Sequence, residues 1–420
     1  MTALTNIDNL DLTFAAELGD DLFPLLDDLR ETDPIHWHEK SHCWVVTRHE
    51  DLVEALSGRL PLSNVRQAAG AYSAIPPQEW PTRLPNLIRY ARHHITNIDP
   101  PDHTRMRKLL MRAFGKPVVE GIRPYARDII TQLMQQLRDR PEVEFGHDIA
   151  LRLPGNVILK LLGLSDELYA KMRDWANDVM MGLGMPNPQP EWVEGADRAF
   201  AEMTEYFLEQ IRDRRLHSRG AKDFISSLID ARDGEDVLSD EEIVATLQVV
   251  LVAGHDTTVN SMTLGVAALA RHPDAWQYMA EHPENMGDAI MELMRYSSMS
   301  TSQNRRVAED FEWHGKKLKK DDMVILMYVA GNRDPRVYDY PEVLDLTRKN
   351  DRSLTFAPGL HHCIGHLLAK MQMGEFFTAL TQEFEGAEIL DDDLHFTPIL
   401  SFRSVPTLHM RFFPRAVANG

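Results

Sequence analysis

Phe356-Ala357-Pro358-Gly359-Leu360-His361-His362-Cys363-Ile364-Gly365-His366 is the stretch on which the reading of this sequence turns. Cys363 has one other cysteine in the chain, Cys43, so no disulfide framework is expected. Downstream, Leu367, Leu368, Met371 and Phe376 recur at helical spacing and predict a helix that starts where the glycine-bearing loop ends. A thiol at a helix N-terminus is stabilised as thiolate by free amide N–H groups and the helix dipole, and thiolate is the form that binds metals. Gly359 and Gly365 let the backbone turn sharply and approach a flat ligand closely. A lone cysteine is by default a packed structural residue. Here the glycines, Phe356 and the histidine two residues earlier favour a metal ligand. Zinc held by His361, His362, Cys363 and His366 is the competing reading; structural zinc sites draw a second ligand pair from a distance, and no other Cys-His cluster occurs.

These residues resemble the haem-binding loop of the cytochrome P450 family: Phe, Gly, any, Gly, any, His, any, Cys, any, Gly. One position departs, Ala357, where the family has glycine. The resemblance implies a haem b whose iron takes Cys363 as its thiolate ligand, with Phe356 and Gly365 shaping the loop and His361 on a haem propionate.

Composition bounds the rest. At 420 residues the chain has room for a large core and an internal cavity. Apolar and charged fractions of 43% and 26% are ordinary for a globular protein, and a net charge of −19 argues against nucleic acid as a partner. The opening MTALTNIDNLDLTFAAELGD is acidic and interrupted by polar residues, unlike a signal peptide or membrane anchor, so a cytoplasmic protein is expected. No repeat or long linker marks a boundary, and a single domain over 1–420 is expected.

In chain order, Ile35–His38 and Cys43–Thr47 read as strands, and 50–56 as a helix. The interval 65–95, rich in proline and aromatics (Tyr72, Pro76, Pro77, Trp80, Pro81, Pro85, Tyr90), reads as surface loop; in the resembled family its equivalent roofs the substrate pocket. A helix follows Pro100-Pro101. His103 and Arg107 share one face of it, and Arg105, Lys108 and Arg112 the opposite one. The resemblance assigns His103 and Arg107 to a propionate. It leaves the outward cations as a patch able to steer an acidic electron carrier. Helices are expected to continue over 116–215, broken at the cluster Gly182-Leu183-Gly184-Met185-Pro186-Asn187-Pro188-Gln189-Pro190.

Ser239 and Glu242 form a capping box that opens the longest helix, which runs without proline to His272. Gln248, His255, Asp256 and Asn260 lie inside it, so a buried central helix fits better than a membrane span. Its middle, Ala253-Gly254-His255-Asp256-Thr257-Thr258, is poor helix-forming sequence, a lapse that often marks function. It resembles the family's oxygen-activation motif, where a local opening of the helix admits water and dioxygen. In that motif Asp256 takes part in proton delivery, Thr257 hydrogen-bonds oxygen, and Ala253 and Gly254 lie at the haem. Glu292 and Arg295 match the family's structural ion pair. A third member, an arginine, is missing, since Val343 stands in its place. Arg305 matches a second propionate arginine, and Asn332-Arg333-Asp334-Pro335 is a further match. Strands are expected at 311–313 and 323–326, and 397–402 is expected to turn back into the pocket.

The resemblance thus implies a mainly α fold with small β-sheets, haem held between the long helix and the Cys363 loop, and monooxygenation by hydroxylation or epoxidation. No flavin or iron–sulfur segment is visible, so electrons from NAD(P)H are expected through a separate ferredoxin and ferredoxin reductase. The polar run Ser297, Ser298, Ser300, Thr301, Ser302 and Gln303 hints at a ligand bearing oxygen functions. A polyketide or macrolide-like product fits, as do terpenoid, fatty-acid and aromatic substrates. Direct use of peroxide is the other enzymatic alternative, and a haem sensor without turnover the non-enzymatic one.

Overall fold

The computed structural model describes residues 7–65, 74–185, 188–217 and 223–416. They fall into two compact units, one built from 1–62, 123–154 and 256–420, the other from 63–122 and 155–255. The fold is mainly helical with small sheets, as expected. The strands in chain order are β1 (Ile35–His38), β2 (Cys43–Val46), β3 (Leu62–Ser63), β4 (Glu142–Glu144), β5 (Ser302–Val307), β6 (Phe311–Trp313), β7 (Lys316–Leu318), β8 (Met323–Met327), β9 (Phe384–Ile389) and β10 (His409–Pro414).

In the first unit the main sheet runs β1-β2-β8-β5, with short β3 at its edge. β2 is antiparallel to β1 and parallel to β8, Cys43 opposite Met323 and Val46 opposite Leu326. All four β2 residues are buried, because both faces of the sheet are covered. Cys43 and Val45 pack with Leu22, Leu26 and Ile325 on one side. Trp44 and Val46 pack with Leu52, Leu56 and Trp313 on the other, the period-two alternation of a strand.

A three-stranded sheet, β4-β10-β9, was not expected from the sequence. It is fixed by aromatics: Phe412 lies 5.7 Å from Phe384 and 6.0 Å from Phe145, and Trp276 Nε1 donates to the Phe384 carbonyl at 2.9 Å. Beside it, the helix His366–Glu383 meets the C-terminal half of the long helix at Gly265. A Cβ added at Gly265 would fall 2.9 Å from Phe377 and 3.2 Å from Leu293, so glycine there sets how closely these helices approach.

The second unit is helical. The interval read as loop holds two helices, Trp80–Arg83 and Pro85–His93; Tyr72 lies outside the described residues. The reason is remote in sequence: Asp197, 5% exposed, accepts the backbone N–H groups of Asn86 and Leu87 at 2.9 Å each and the Asn86 amide at 2.8 Å. A carboxylate from another helix thus satisfies the free amides of this one. The breaker cluster begins as a wide π-helical turn, Met180–Gly184, in which Gly182 admits the Trp192 carbonyl; Pro186 and Asn187 lie outside the described residues. Pro190 starts the next helix.

The longest helix is Asp240–Ala270, and its capping box is formed as expected. Ser239 N–H donates to Glu242 Oε2 at 2.8 Å, and Glu242 N–H returns to Ser239 Oγ at 3.2 Å. Residues up to His255 belong to the second unit and those from Asp256 to the first. The helix is α-helical across Ala253–Thr258, without the opening the resemblance implied. No described helix is long and apolar enough to cross a membrane.

Candidate active site

The cysteine loop is shaped by close backbone contacts. Cys363 is exposed, three residues ahead of the helix His366–Glu383. Its N–H donates to the Phe356 carbonyl at 2.9 Å, and its own carbonyl accepts from His366 N–H at 3.4 Å and His366 Nδ1 at 2.9 Å. The thiol therefore stands at a helix N-terminus, where amide dipoles favour thiolate. Cys43 is the opposite case: 1% exposed, its thiol is pushed up to about 12 by burial. Of the two thiols, only that of Cys363 is exposed.

Gly359 has φ +99°, and a Cβ there would fall 2.1 Å from the Leu56 carbonyl oxygen. Ala357 also has positive φ, +51°. That conformation explains why the resembled family has glycine at this position, and alanine costs about 1 kcal/mol there. Its methyl is not wasted, since it packs on the Trp44 and Leu56 side of the sheet. Gly365, by contrast, has φ −84°, and a Cβ there would lie at ordinary contact distance, 3.9 Å, from Cys363 Sγ.

Behind the loop lies a charged hub. Glu292 and Arg295 have fully buried side chains and pair through two hydrogen bonds of 2.7 and 2.8 Å. The third cation, missing at Val343, is supplied by Arg348, whose Nε reaches Glu292 Oε1 at 3.3 Å. Asn350 and the Asp345 N–H complete the set at 3.0 and 3.1 Å. Val343 contributes only its carbonyl, 3.3 Å from Arg295. Arg295 also donates to the Asn332 carbonyl, and the Asn332 side chain accepts the buried Leu354 N–H at 2.8 Å, which anchors the chain leading to Cys363.

On the long helix, Leu251, His255, Thr258 and Val259 are buried. Val250, Ala253, Thr257 and Asn260 form an accessible stripe at helical spacing, with Asp256 beside it. The Thr257 carbonyl accepts the Ser261 hydroxyl at 2.8 Å. Gly254 has a packing role of its own, since a Cβ there would fall 2.9 Å from Ile158.

The remaining expected residues divide between the units. In the second, His103 is 1% exposed; burial pushes its pKa down, the Arg107 charge adds to this and Asp99 opposes it. Arg107 is half-buried one turn later. In the first, Arg305 on β5 is 6% exposed and donates to the Asn304 carbonyl at 2.8 Å, and His361 is half-buried.

Two expectations change. Three serines after Glu292 spend their hydroxyls on the chain itself: Ser297 on the Leu293 carbonyl, Ser298 on the Ser300 carbonyl and Ser302 on the Leu400 carbonyl. Those three hydroxyls give no hint of ligand polarity. The cationic patch is bridged: Arg112 pairs with Asp233 at 2.7 Å, Lys108 pairs with the same carboxylate, and Arg105 pairs with Glu242. Lys108 holds Asp233 below the usual carboxylate range.

The residues present fit a haem. Within the first unit, Cys363 offers an exposed thiol just ahead of a helix N-terminus, the donor a haem iron takes on its thiolate side. Among the described residues, His361, His362, Cys363 and His366 do not converge as a metal cage, which removes the zinc reading. The hub residues Arg348 and Asn350 were missed; the only signal was an arginine five residues beyond Val343.

The comparisons agree. A family model described as "Cytochrome P450" matches residues 73–401. The chain is 31% identical over 351 residues to cytochrome P450 CYP107DY1 of Priestia megaterium, covering 81% of this chain and 82% of that one. It is 29% identical over 395 residues to the polyketide biosynthesis cytochrome P450 PksS of Bacillus subtilis, covering 92% and 94%. Among solved structures, P450BioI in complex with hexadec-9Z-enoic acid ligated acyl carrier protein superposes with a TM-score of 0.85 at 26% identity, covering 95% and 99%.

Proposed function

The chain belongs to the cytochrome P450 family, whose members are haem-thiolate monooxygenases, and on that footing we propose that it oxygenates an acyl- or polyketide-type small molecule with electrons from a separate ferredoxin. The observation that carries this reading is Cys363, whose thiol is exposed at a helix N-terminus and whose backbone N–H donates to the Phe356 carbonyl. The substrate class is supported by two similar proteins, PksS, named for polyketide biosynthesis, and P450BioI, solved with an acyl-loaded carrier protein. We take both compact units as one monooxygenase domain over 1–420, because the family match at 73–401 runs through both. The cytoplasm, where ferredoxin and its NAD(P)H-linked reductase work, is the proposed location.

When bound, haem supplies the iron at which dioxygen is reduced and one of its atoms is passed to substrate. Cys363 would be the residue that holds that iron, its thiolate supplying electron density. His103 and Arg107 of one unit, and Arg305 and His361 of the other, are the residues that would hold the propionates; burial pushes the His103 pKa down, so it would serve as a hydrogen-bond donor rather than as a charge. Ala253, on the accessible stripe of the long helix, and Gly254, which packs on Ile158, would border the haem. Asp256, half-exposed, takes protons from water, and the Thr257 hydroxyl hands them to the reacting face.

Carbon monoxide added to reduced protein tests the ligand. A strongly red-shifted Soret band should appear in the native chain and in Cys43→Ala, and be lost in Cys363→Ala. Thr257→Ala should keep haem and substrate affinity while NADPH consumption shifts from product to hydrogen peroxide. Native coupling in both Thr257→Ala and Asp256→Asn would remove those residues from proton delivery, and product formed from peroxide alone would favour the peroxide-driven reading.

A further inference from the structure

We propose that Asp51, Glu54 and His314 bind a divalent transition-metal ion on the flank of the cysteine loop. One ligand atom from each lies within 4.8 Å of the others, the one such convergence of three possible ligands among the described residues. Two carboxylates and an imidazole are a mixed oxygen–nitrogen set suited to ions of the zinc type. Asp51 and Glu54 stand three residues apart on the helix His49–Leu56 and so share a face. His314 comes from the β6–β7 turn, with Nε2 3.1 Å from Asp51 Oδ1.

A second observation points the same way. Asp51 is 3% exposed yet lines an open pocket. Among the described residues its carboxylate has one ion-pair partner, the His314 imidazole, whose side chain is 62% exposed. A buried carboxylate with so little around it is costly, and a cation removes that cost. The pocket wall also carries Glu50 and Asp351 against two cations, Arg59 and Arg352, so the acids outnumber the arginines. Two donors on one ion at about 2.1 Å sit no more than about 4.2 Å apart. Closing the set therefore takes a small rotation, which exposed His314 can make while Glu54 Oε2 keeps the Trp313 Nε1 hydrogen bond at 3.0 Å.

The position matters because Pro358 of the cysteine loop lines the same pocket. Two residues beyond Glu54, the Leu56 carbonyl accepts the Leu360 N–H and abuts Gly359. An ion joining Asp51 and Glu54 to His314 braces the helix on which that loop rests.

Calorimetric titration of the haem-loaded protein with zinc chloride tests this. One equivalent should bind to the native chain, and His314→Ala and Asp51→Asn should each weaken it at least tenfold. His409→Ala, at a separate exposed His–Asp pair, should leave it unchanged. The Soret spectrum reports whether each variant is folded; His314 is exposed, so its variant stays informative if Asp51→Asn proves unstable. X-ray absorption at the zinc edge should show oxygen and nitrogen neighbours near 2.0–2.1 Å. Absence of a stoichiometric site, binding unaltered in His314→Ala, or a sulfur neighbour would each overturn the proposal.

Discussion

Replacing Arg348 by alanine tests whether it is the third member of the Glu292–Arg295 hub. Arg348 gives one hydrogen bond to Glu292, long at 3.3 Å, and its side chain is 13% exposed. Hydrogen bonds to charged groups contribute about 1.5–3 kcal/mol, and the length places this one toward the lower end, at about 2 kcal/mol. Glu292→Ala is a larger insult. It strips acceptors from Arg295, Arg348, Asn350 and the Asp345 N–H at once and strands a fully buried guanidinium. The expected loss is about 3–5 kcal/mol. Combining the two should give a coupling energy of about 1–2 kcal/mol, because the residues share one carboxylate. The assay is urea unfolding of the haem-loaded protein, followed by tryptophan fluorescence and by the thiolate Soret band. Val343→Arg added to Arg348→Ala should not restore stability: Val343 is 49% exposed, and only its carbonyl meets the hub. Stability within about 0.5 kcal/mol of native for Arg348→Ala, the ordinary range of a surface substitution, or rescue by Val343→Arg, would refute the assignment.

Three further outcomes are expected. Gly359→Ala should lose at least about 2 kcal/mol, from positive φ and collision with the Leu56 carbonyl. Gly374→Ala, on a helix where an added Cβ meets nothing within 4 Å, should gain up to about 1 kcal/mol; equal midpoints for the two variants would contradict the steric argument. His49, whose Nε2 donates to the Arg352 carbonyl at 2.8 Å, has a pKa lowered first by burial, so the unfolded chain takes up its proton before the folded one does. Its share of stability is complete above the unfolded value of about 6.5 and is lost as pH falls through and below it. His49→Gln should therefore show a shallower decline in urea midpoint from pH 7.5 to 5.5, and identical slopes would dismiss His49 as a contributor. Asp233→Asn should release Lys108 and Arg112 and, if they face an acidic ferredoxin, speed the first electron transfer at low salt. No change there would confine those cations to bracing their own unit.

Elements that signal locally were legible in the sequence. Ser239 and Glu242 bound each other as a capping box demands, and β2 read as a strand because both its faces are apolar. Elements completed from afar were not. The helix at Pro85 depends on Asp197, more than a hundred residues later, and β10 on the contact of Phe412 with Phe145. At the site, the Cys363 loop was readable because its chemistry lies within eleven consecutive residues. Arg348 was not, because a guanidinium can reach the same carboxylate from a different place in the chain. Ser297, Ser298 and Ser302 make a related point: composition shows a hydroxyl but not the carbonyl that occupies it.

Cys43 has a use as an internal clock. A thiol raised to about 12 is ionised in only about one molecule in ten thousand at pH 8, whereas a thiol near 8.5 in an unfolded chain is about a quarter ionised. An alkylating reagent should therefore mark Cys363 quickly when nothing covers it, and Cys43 only when β2 leaves the sheet. Counting the adducts by mass would then separate two events in one sample. A first adduct dates the uncovering of the loop thiol, and a second dates the opening of the sheet, without any probe being added to the sequence.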